Sequence, residues 1–542
     1  MNFDNPKEDL QVSRYSTLIS TPVPQSEPLD SRQVKNNAGG FVYALDDFAR
    51  LARFLVLGAD ANTYYQSAKK LTRENATCVV RCYDTDPTRT VAEIVKVSQE
   101  GRAPKNDAAV FALALGASHK DVKTRQLALS ALPAVCRTST HLFQFVDNCR
   151  VLGKGWGRAQ KRAVAAWYDN RSPASVAFQG VKYRAREGYT HKRLLELARP
   201  HAVVNGPVYR WLKGKLKEGD VVNLPALIAA HEEAMKAEKV TPRLLDLIKE
   251  HRLPWEALPT ALTKDPDVWA AMLPDMGLTA LIRNLGAMTA YGTLKPLEAT
   301  VGIVVKRLQS EKELRDARIH PFNVLLALAA YRGGHSIAAR ARGRDGLSWQ
   351  AIGKIVDALD DAFYASFKTI VPSGKRVLIG LDVSGSMSSP LNGTAISVAE
   401  GAAAMCMSVL RSEENWHVFA FADGFRDLKL SAKMALPDVL QRTMNVNFGG
   451  TDCALPMIYA QQHGLKVDVF QVYTDSETWA GRSHPVAALK DYRKKSGLPA
   501  KLVVVGMTST GFTIADPEDP GMLDVVGFDS AAPAVMADFA RR

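Results

Sequence analysis

The sequence predicts a multidomain protein of the α plus α/β class, in which an array of helices precedes a doubly wound, Rossmann-like α/β domain. Apolar residues recur at helical spacing before residue 372, whereas short apolar runs alternate with helical segments after it. The length of 542 residues also exceeds what one hydrophobic core usually organises. We therefore expect an extended arm over residues 1–35, a helical module over 36–372 and an α/β domain over 373–542.

The helical module is predicted from its apolar stripes. Leu45, Phe48, Leu51, Ala52 and Leu55 share one face of a helix. Similar patterns recur over residues 108–115, 124–136, 192–198, 225–237, 242–250 and 278–288. Short connectors rich in Pro, Gly and Asp separate some of these stretches, which favours HEAT-like helix pairs, although no fixed sequence period is visible. Such arrays curve and present one extended surface to a partner.

The α/β domain is predicted from four short runs rich in valine and aromatic residues. They occupy residues 376–381, 416–422, 467–473 and 501–505. Continuous apolar runs of this length, separated by helices, are typical of buried parallel strands. Ligands of such domains bind beyond the carboxyl ends of the strands.

Composition narrows the class of protein. No stretch approaches 18 consecutive apolar residues, and the acidic N-terminus lacks the apolar core of a secretory signal, so we expect a cytoplasmic protein without a membrane partner. The six cysteines do not form paired zinc-site spacings, because no second pair answers Cys78 and Cys82. We expect all six to be reduced structural thiols.

The net charge of +13 is unevenly distributed. Residues 374–542 contain 16 basic and 18 acidic side chains, so the whole positive excess belongs to the first two thirds of the chain. Residues 150–200 alone hold 12 basic side chains against three acidic ones. Such a field attracts polyanions, although a run of charge is more commonly a solvated helix face.

The basic segment has a pattern that fits RNA. Arg158, Lys161 and Arg162 can share one side of a helix. Thr190 is a candidate N-cap for the next helix, where backbone amides favour phosphate. Tyr183, Tyr189 and His191 are candidates for stacking on unpaired bases. For the aromatic side chains Trp156, Trp167 and Tyr168 we favour ordinary core packing.

Oxygen-bearing side chains cluster at the predicted carboxyl ends of the strands. Asp382, Ser384 and Ser386 alternate directly after the first strand, Thr451 lies on a glycine-rich loop, and Asp475 follows the third strand. Two carboxylates and three hydroxyls suit one divalent cation, Mg²⁺ or alternatively Mn²⁺, with waters completing the shell. The alternative is a motif that only braces the loops.

This constellation does not resemble an active site. No histidine adjoins Ser384 or Ser386, and the turn is not a G-x-S-x-G elbow. Metal-dependent RNA hydrolysis usually needs a richer carboxylate cluster than Asp382 and Asp475 provide. We therefore expect a protein that is not an enzyme.

The motifs resemble a known family. The D-x-S-x-S sequence, the loop threonine and the later aspartate resemble the metal-ion-dependent adhesion site of von Willebrand A domains. The whole chain resembles bacterial members of the Ro autoantigen family, a TROVE module followed by such a domain. The matching segments are NAGGF at 37–41, RFLVLG at 53–58, YY at 64–65, GRAPK at 101–105, residues 182–192, LIRNLG at 281–286, ARIHP at 317–321, DVSGSM at 382–387 and GGTDCALP at 449–456.

The resemblance implies a monomeric ring of helical repeats whose ends the A domain bridges. It implies that small noncoding Y RNAs bind a basic outer surface and that single-stranded 3′ ends of misfolded or damaged RNAs enter the central hole. It also implies a role in RNA quality control, with an exoribonuclease such as polynucleotide phosphorylase as a partner. Lys182 and Arg186 match family RNA contacts, while Arg199 replaces a histidine that is frequent in animal relatives. The expected RNA-binding residues are Lys154, Arg158, Lys161, Arg162, Lys182, Tyr183, Arg184, Arg186, His191, Lys192 and Arg199.

Two functional hypotheses follow from these patterns. The first is a chaperone or adaptor that binds RNA through the basic helical region. The second is a metal-dependent scaffold that captures protein partners through the A domain. The two use different parts of the chain and are compatible.

Overall fold

The computed structural model describes residues 23–57, 76–335, 346–367, 370–390, 396–444 and 449–542. The first part of the predicted arm, residues 1–22, lies outside these ranges, as does the motif stretch 58–65. Within the described residues, no helix is both long and apolar enough to cross a membrane.

Nineteen described α-helices form the N-terminal region. Helices α1 to α9 span Asp47–Leu57, Thr77–Thr85, Pro87–Glu100, Asp107–Ala117, Val122–Ser130, Leu132–Val135, Ser139–Val151, Arg158–Asp169 and Pro173–Lys182. Helices α10 to α18 span His191–Ala198, Gly206–Leu212, Ala226–Ala234, Pro242–His251, Pro266–Met272, Leu278–Ala290, Ala299–Leu308, Glu311–Asp316 and Pro321–Arg332. One further helix, α19 (Gly353–Ala365), packs against α16 and α18.

A recurrent start signal explains many of these helices. Asp86, Ser172, Thr241, Asp265 and His320 each precede a proline, and each side chain accepts a hydrogen bond from a backbone amide of the first turn. Proline is well placed at the first helical position because its missing N–H would have no intrahelical partner there. A proline without a capping side chain marks the division of the predicted helix over residues 124–136 into α5 and α6: Pro133 lies in the first turn of α6, and the N-cap residue is Ala131.

The C-terminal α/β domain is built on a six-stranded sheet. Its strands are β5 (Val377–Asp382), β6 (Trp416–Phe421), β7 (Phe425–Asp427), β8 (Val469–Thr474), β9 (Lys501–Gly506) and β11 (Met522–Val526), in the order β11-β9-β8-β5-β6-β7. All neighbours are parallel except β6 and β7. The helices are α20 (Val398–Ser412), α21 (Leu436–Met444), α22 (Leu455–Gln462), α23 (Pro485–Ser496) and α24 (Ala532–Arg541).

Alternation along the strands gives the sheet two buried faces. In β5, Val377, Ile379 and Leu381 join a core that includes α20 and α24 and continues into the helical array. Leu378 belongs to a second core formed with α22 and α23. Helices on both faces confirm the predicted doubly wound architecture.

The segment 23–44 differs from a free tail. It contains β1 (Gln33–Lys35) and β2 (Phe41–Ala44), which form a sheet with β10 (Phe512–Thr513) of the C-terminal domain. Val42 and Tyr43 are buried in the core of α22 and α23. The sequence predicts an extended arm over residues 1–35, and its described part, residues 23–35, packs on the α/β domain. We call residues 23–44 the N-terminal strap.

The helical array closes on itself next to the α/β domain. The loop at residues 101–106 meets the start of α18, where His320 Nε2 lies 2.9 Å from the Arg102 carbonyl oxygen and Asn323 Nδ2 donates to the Pro104 carbonyl at 3.0 Å. The Arg102 guanidinium pairs with Asp529 of the α/β domain. Phe322 also packs edge-on against Phe528, with ring centres 5.5 Å apart. Three distant parts of the chain therefore meet at one junction.

All six cysteines are buried free thiols, as the sequence predicts. Burial raises the pKa of Cys82 and of Cys149 to about 12. Thiols of this kind stay protonated at neutral pH, which fits a structural role.

Candidate functional site

The basic segment contains helices α8, α9 and α10 and a short hairpin. Helix α8 packs against α10, and the hairpin of β3 (Ala185–Arg186) and β4 (Tyr189–Thr190) lies between α9 and α10 in sequence and contacts α7 and α10. Glu187 and Gly188, with φ of 50° and 75°, form its two-residue turn. Two successive positive φ values are typical of the type I′ turn that suits a tight hairpin. Residues 184–188 at this turn are exposed to solvent.

Helix α10 begins as its sequence indicates. The Thr190 hydroxyl accepts a hydrogen bond from the Arg193 amide at 3.3 Å and caps the helix. Lys192 and Arg193 are exposed in the first turn. Uncompensated backbone amides and lysine or arginine side chains at one helix start favour an anion.

Most of the predicted RNA-binding side chains lie on the surface. Lys182 and Tyr183 are half-buried, and the exposed ones are Lys154, Arg158, Lys161, Arg162, Arg184, Arg186, Lys192 and Arg199. Two of them have protein partners. The Arg184 guanidinium lies 3.0 Å from His231 Nε2, and Arg186 Nε lies 3.2 Å from a Glu187 carboxylate oxygen.

The prediction that His191 stacks on a base is wrong, because its side chain is 3% exposed. Its Nδ1 lies 2.9 Å from the Tyr168 hydroxyl and its Nε2 lies 3.1 Å from the Tyr183 carbonyl oxygen. Burial lowers the pKa of His191 to about 4, so the ring is neutral in the folded protein. Tyr189 is also buried and does not offer its ring face to solvent.

The expected core packing of the other aromatic residues is confirmed. Trp167 and Tyr168 are fully buried, and their rings pack edge-on with centres 5.0 Å apart. Trp156 is partly buried against the same core. These rings hold α8 in place and leave its opposite face to Arg158, Lys161 and Arg162.

The five predicted metal ligands belong to adjoining loops at one edge of the α/β sheet. Asp382 ends β5. Ser384 is the N-cap of the 3₁₀ turn that follows (Gly385–Ser388), and Ser386 lies within that turn. Asp475 follows β8, the parallel neighbour of β5. Thr451 lies just before α22, and its carbonyl accepts hydrogen bonds from Trp479 and Ala480 at 3.0 Å.

Hydrogen bonds orient these oxygens. The Asp382 carboxylate accepts from the Ser384 amide at 2.9 Å and from the Thr474 hydroxyl at 2.6 Å. The Ser384 and Ser386 hydroxyl oxygens lie 3.2 Å apart. Asp475 Oδ1 accepts from the Glu477 amide at 3.0 Å, whereas its buried Oδ2 has no hydrogen-bond partner among the described residues.

The site holds two neighbouring buried carboxyl groups, Asp382 and Asp475. Burial raises the pKa of Asp382, and the neighbouring Asp475 raises it further. Burial also raises the pKa of Asp475. Two adjacent buried carboxylates, one with a free oxygen, together with three hydroxyls form a hard-oxygen set that fits a divalent cation. Among the described residues there is no cluster of three or more His, Cys, Asp or Glu, so a nitrogen or thiolate site of that kind is absent there.

Sequence reasoning missed the contribution of the N-terminal strap to this site. Gln25 is fully buried; its Nε2 donates to Asp452 Oδ1 at 2.8 Å, and the Thr478 hydroxyl donates to its Oε1. Asn36 Nδ2 donates to the Thr478 carbonyl at 2.8 Å, and Asn37 Nδ2 donates to Glu477 Oε1 at 2.6 Å. The strap thus joins the Thr451 loop to the Asp475 loop. The NAGG turn at 37–40 was the available sequence signal.

Comparisons with known proteins cover most of the chain. The TROVE domain profile matches residues 34–226 and 249–333, and the profile of the Ro60 von Willebrand A domain matches residues 376–540. The RNA-binding protein RO60 of Deinococcus radiodurans is 41% identical over 529 residues, which cover 96% of this chain and 97% of that protein. The RNA-binding protein RO60 of Caenorhabditis elegans is 35% identical over 614 aligned positions, covering 98% and 94%.

A solved structure supports the same relationship. The crystal structure of the Ro protein of Deinococcus radiodurans matches with a TM-score of 0.69 and 39% sequence identity, and the match covers 91% of this chain and 99% of that one. Profiles, full-length relatives and fold agree in the order and extent of both parts. The chain therefore belongs to the Ro60 family, with a TROVE domain followed by a Ro60-type von Willebrand A domain.

Proposed function

We propose that this protein binds RNA through the exposed cations of α8, the β3–β4 hairpin and the start of α10. The observation that carries the proposal is the concentration of exposed lysine and arginine on these elements. They lie in the first two thirds of the chain, which hold the whole positive excess. Cations that neutralise phosphates release counterions and so supply affinity. The names of the relatives support RNA as the ligand.

We further propose the finer activity that the family resemblance implies. Y-type RNAs bind the basic outer surface, single-stranded 3′ ends of misfolded RNAs enter the ring, and the monomeric protein acts as a chaperone or adaptor in RNA quality control. An exoribonuclease such as polynucleotide phosphorylase is the proposed protein partner. In this proposal residues 36–372 bind RNA, and residues 373–542 form the A domain.

A gel-shift series tests the RNA proposal. The probe is a structured RNA with a single-stranded 3′ end, titrated with the full chain between 50 and 200 mM salt. We expect affinity to fall steeply with salt. Lys182→Ala combined with Arg186→Ala should weaken binding at every salt concentration. Affinity that responds neither to salt nor to the double substitution contradicts the proposal.

The A domain supports a second candidate function. We propose that Asp382, Ser384, Ser386, Thr451 and Asp475 hold one Mg²⁺ or Mn²⁺ directly or through water. A bound cation would act as a Lewis acid toward a carboxylate of a protein partner. The buried Asp475 Oδ2, which has no hydrogen-bond partner in the part of the chain that the structure describes, favours this arrangement over loops that only brace each other.

We also propose that the protein is not an enzyme. Asp382 and Asp475 are the two carboxylates of the metal set, fewer than a two-metal nuclease usually uses. RNA incubated with pure protein and Mg²⁺ or Mn²⁺ should remain intact. Cleavage that Asp382→Ala abolishes would contradict this part of the proposal.

Partner capture has its own test. Pull-downs with the wild type and with Asp382→Ala, each with Mn²⁺ or with a chelator, separate the two functions. A partner that depends on the metal should be lost with Asp382→Ala and with chelation, while RNA binding is retained. If every protein partner survives both treatments, the scaffold function fails and the RNA function is unaffected.

A further inference from the structure

A small cavity beside Lys182 is unused by the functions above. It has a volume of about 60 Å³ and lies between α9, α13 and α14 and the 3₁₀ turn Trp255–Ala257. Phe178, Lys182, Trp255 and Glu256 line it. Lys182 Nζ lies 5.5 Å from the centre of the Phe178 ring, so its ammonium stands over this part of the surface. The cavity therefore adjoins one of the proposed phosphate contacts.

Trp255 gives this cavity an exposed aromatic rim. It is 43% exposed, whereas Trp167 and Trp269 of the same helical region are almost completely buried. An exposed indole loses the free energy of burial, which is large for a tryptophan. Stacking of an unpaired base on such a ring is a common way in which proteins recover it.

Glu256 gives the cavity a single unsatisfied acceptor. Its Oε2 is buried and has no hydrogen-bond partner among the described residues. Burial raises the pKa of Glu256, whereas its own backbone amide, the positive charge of Lys182 and the Trp255 side chain act in the opposite direction. An ionised carboxylate can only accept hydrogen bonds, so the missing partner is an N–H or O–H donor. A buried acceptor without a donor is costly, and a ligand that supplies one is favoured.

The size of the cavity limits what enters it. A volume of about 60 Å³ corresponds to roughly two water molecules. That space admits the polar edge of a nucleobase but not a whole nucleotide. The ring of the base would remain at the mouth, where Trp255 is exposed, and Lys182 would be near its phosphate.

We propose that this cavity is a base-edge subsite for an unpaired nucleobase that carries an exocyclic amine, with Trp255 stacking on the ring and Glu256 accepting from the amine. Adenine, cytosine and guanine carry such a donor, whereas the pairing edge of uracil places carbonyl oxygens on both sides of its N–H. A carboxylate repels those oxygens, so the subsite discriminates against uracil. The inference rests on the proposed RNA-binding function and adds a base preference to it.

Binding of short homopolymers tests the preference. The probes are 5′-fluorescein heptanucleotides of adenine, cytosine and uracil, titrated with the full chain by fluorescence anisotropy. We expect U7 to bind about tenfold more weakly than C7 and A7, from the cost of a buried acceptor that stays unpaired. Equal affinities for all three overturn the subsite.

Two substitutions locate the effect. Glu256→Gln keeps the shape but adds a donor, so the discrimination against U7 should disappear while C7 still binds. Trp255→Ala should weaken A7 and C7 about tenfold through lost stacking, and Trp255→Phe should restore most of that loss. Quenching of tryptophan fluorescence by A7 should be smaller in Trp255→Phe than in the wild type. If Glu256→Gln leaves the discrimination intact, the assignment is wrong.

The experiment separates this inference from the function on which it rests. If the structured RNA binds with the expected salt dependence but the heptanucleotides show no base preference, only the subsite fails. If neither the structured RNA nor any heptanucleotide binds, the proposed function fails and the subsite falls with it. Unchanged circular dichroism spectra and melting temperatures show that the variants are folded.

Discussion

The junction between Arg102 and Asp529 allows a quantitative test of how the ring is closed. The guanidinium donates from Nε to both carboxylate oxygens at 3.0 Å and also pairs through Nη2. The exposed fractions of the two side chains are 16% and 5%. Arg102→Ala removes the whole guanidinium and leaves Asp529 buried without its cation.

The expected cost comes from that stranded carboxylate. Breaking a buried ion pair by removing one partner costs about 3–5 kcal/mol. Asp529 retains one hydrogen bond from the Ala531 amide at 2.9 Å, so we expect a cost at the lower limit, about 3 kcal/mol. The exposed pair of Arg243 and Glu233, with exposed fractions of 61% and 49%, provides a control whose loss should have little effect on stability, because solvent screens exposed ion pairs.

Hydrogen exchange measures this cost locally. Peptides that cover residues 99–106 and 317–323 should exchange about a hundredfold faster in Arg102→Ala, since 1.4 kcal/mol corresponds to a factor of ten. Arg243→Ala should leave them unchanged. Adding Asp529→Asn to Arg102→Ala should restore part of the protection, because the stranded charge is then removed. Exchange in Arg102→Ala that matches Arg243→Ala would refute the view that this pair closes the ring.

Three further predictions concern the strap and the core. Gln25→Ala should weaken Mn²⁺ binding about tenfold in calorimetric titration; an unchanged Kd would show that the strap does not position the metal loops. Gly40→Ala places a Cβ 1.9 Å from the Thr478 carbonyl oxygen, so it should lower the free energy of unfolding in urea by about 2 kcal/mol. The control Gly302→Ala has open space around the new Cβ and should not lower that free energy. Burial lowers the pKa of His320 to about 4. The free energy of unfolding should therefore keep the whole contribution of the neutral His320 ring above pH 6.5 and lose about 3 kcal/mol as the pH drops to 4. Urea unfolding of His320→Gln should show a smaller dependence on pH.

Local sequence patterns were sufficient to predict much of the fold. The strand runs and helix stripes depend on residues that are neighbours in sequence, so β5, β6, β8 and β9 were identified within a few residues. Strand β11 was missed because Leu523, Asp524 and Val526 are only half-buried at the sheet edge and the apolar run is broken. Closure of the array was expected only from the family resemblance. Its contacts join residues more than 200 positions apart.

In the candidate sites, too, residues that are close in sequence were predicted, whereas contacts between distant parts of the chain were not. The proposed metal ligands could be named from the sequence because D-x-S-x-S places three of them within five residues. Gln25 was missed because it is separated from Asp452 by 427 positions. The burial of His191 could have been predicted from the sequence. His191 lies at helical spacing from Leu194, Leu195 and Ala198, and all four residues are buried. Charged side chains were assigned to the surface correctly because charge alone opposes burial.

The salt dependence of RNA affinity tests the central claim most directly. Arg158, Lys161 and Arg162 replaced together by alanine should weaken binding and reduce the slope of log K against log salt by about two to three. The matched control replaces Lys466, Lys490 and Lys494, which are exposed on the A domain, and removes the same charge. We predict that the control retains the wild-type slope. Equal slopes for both triple variants would contradict the assignment of RNA binding to the basic face of the helical region.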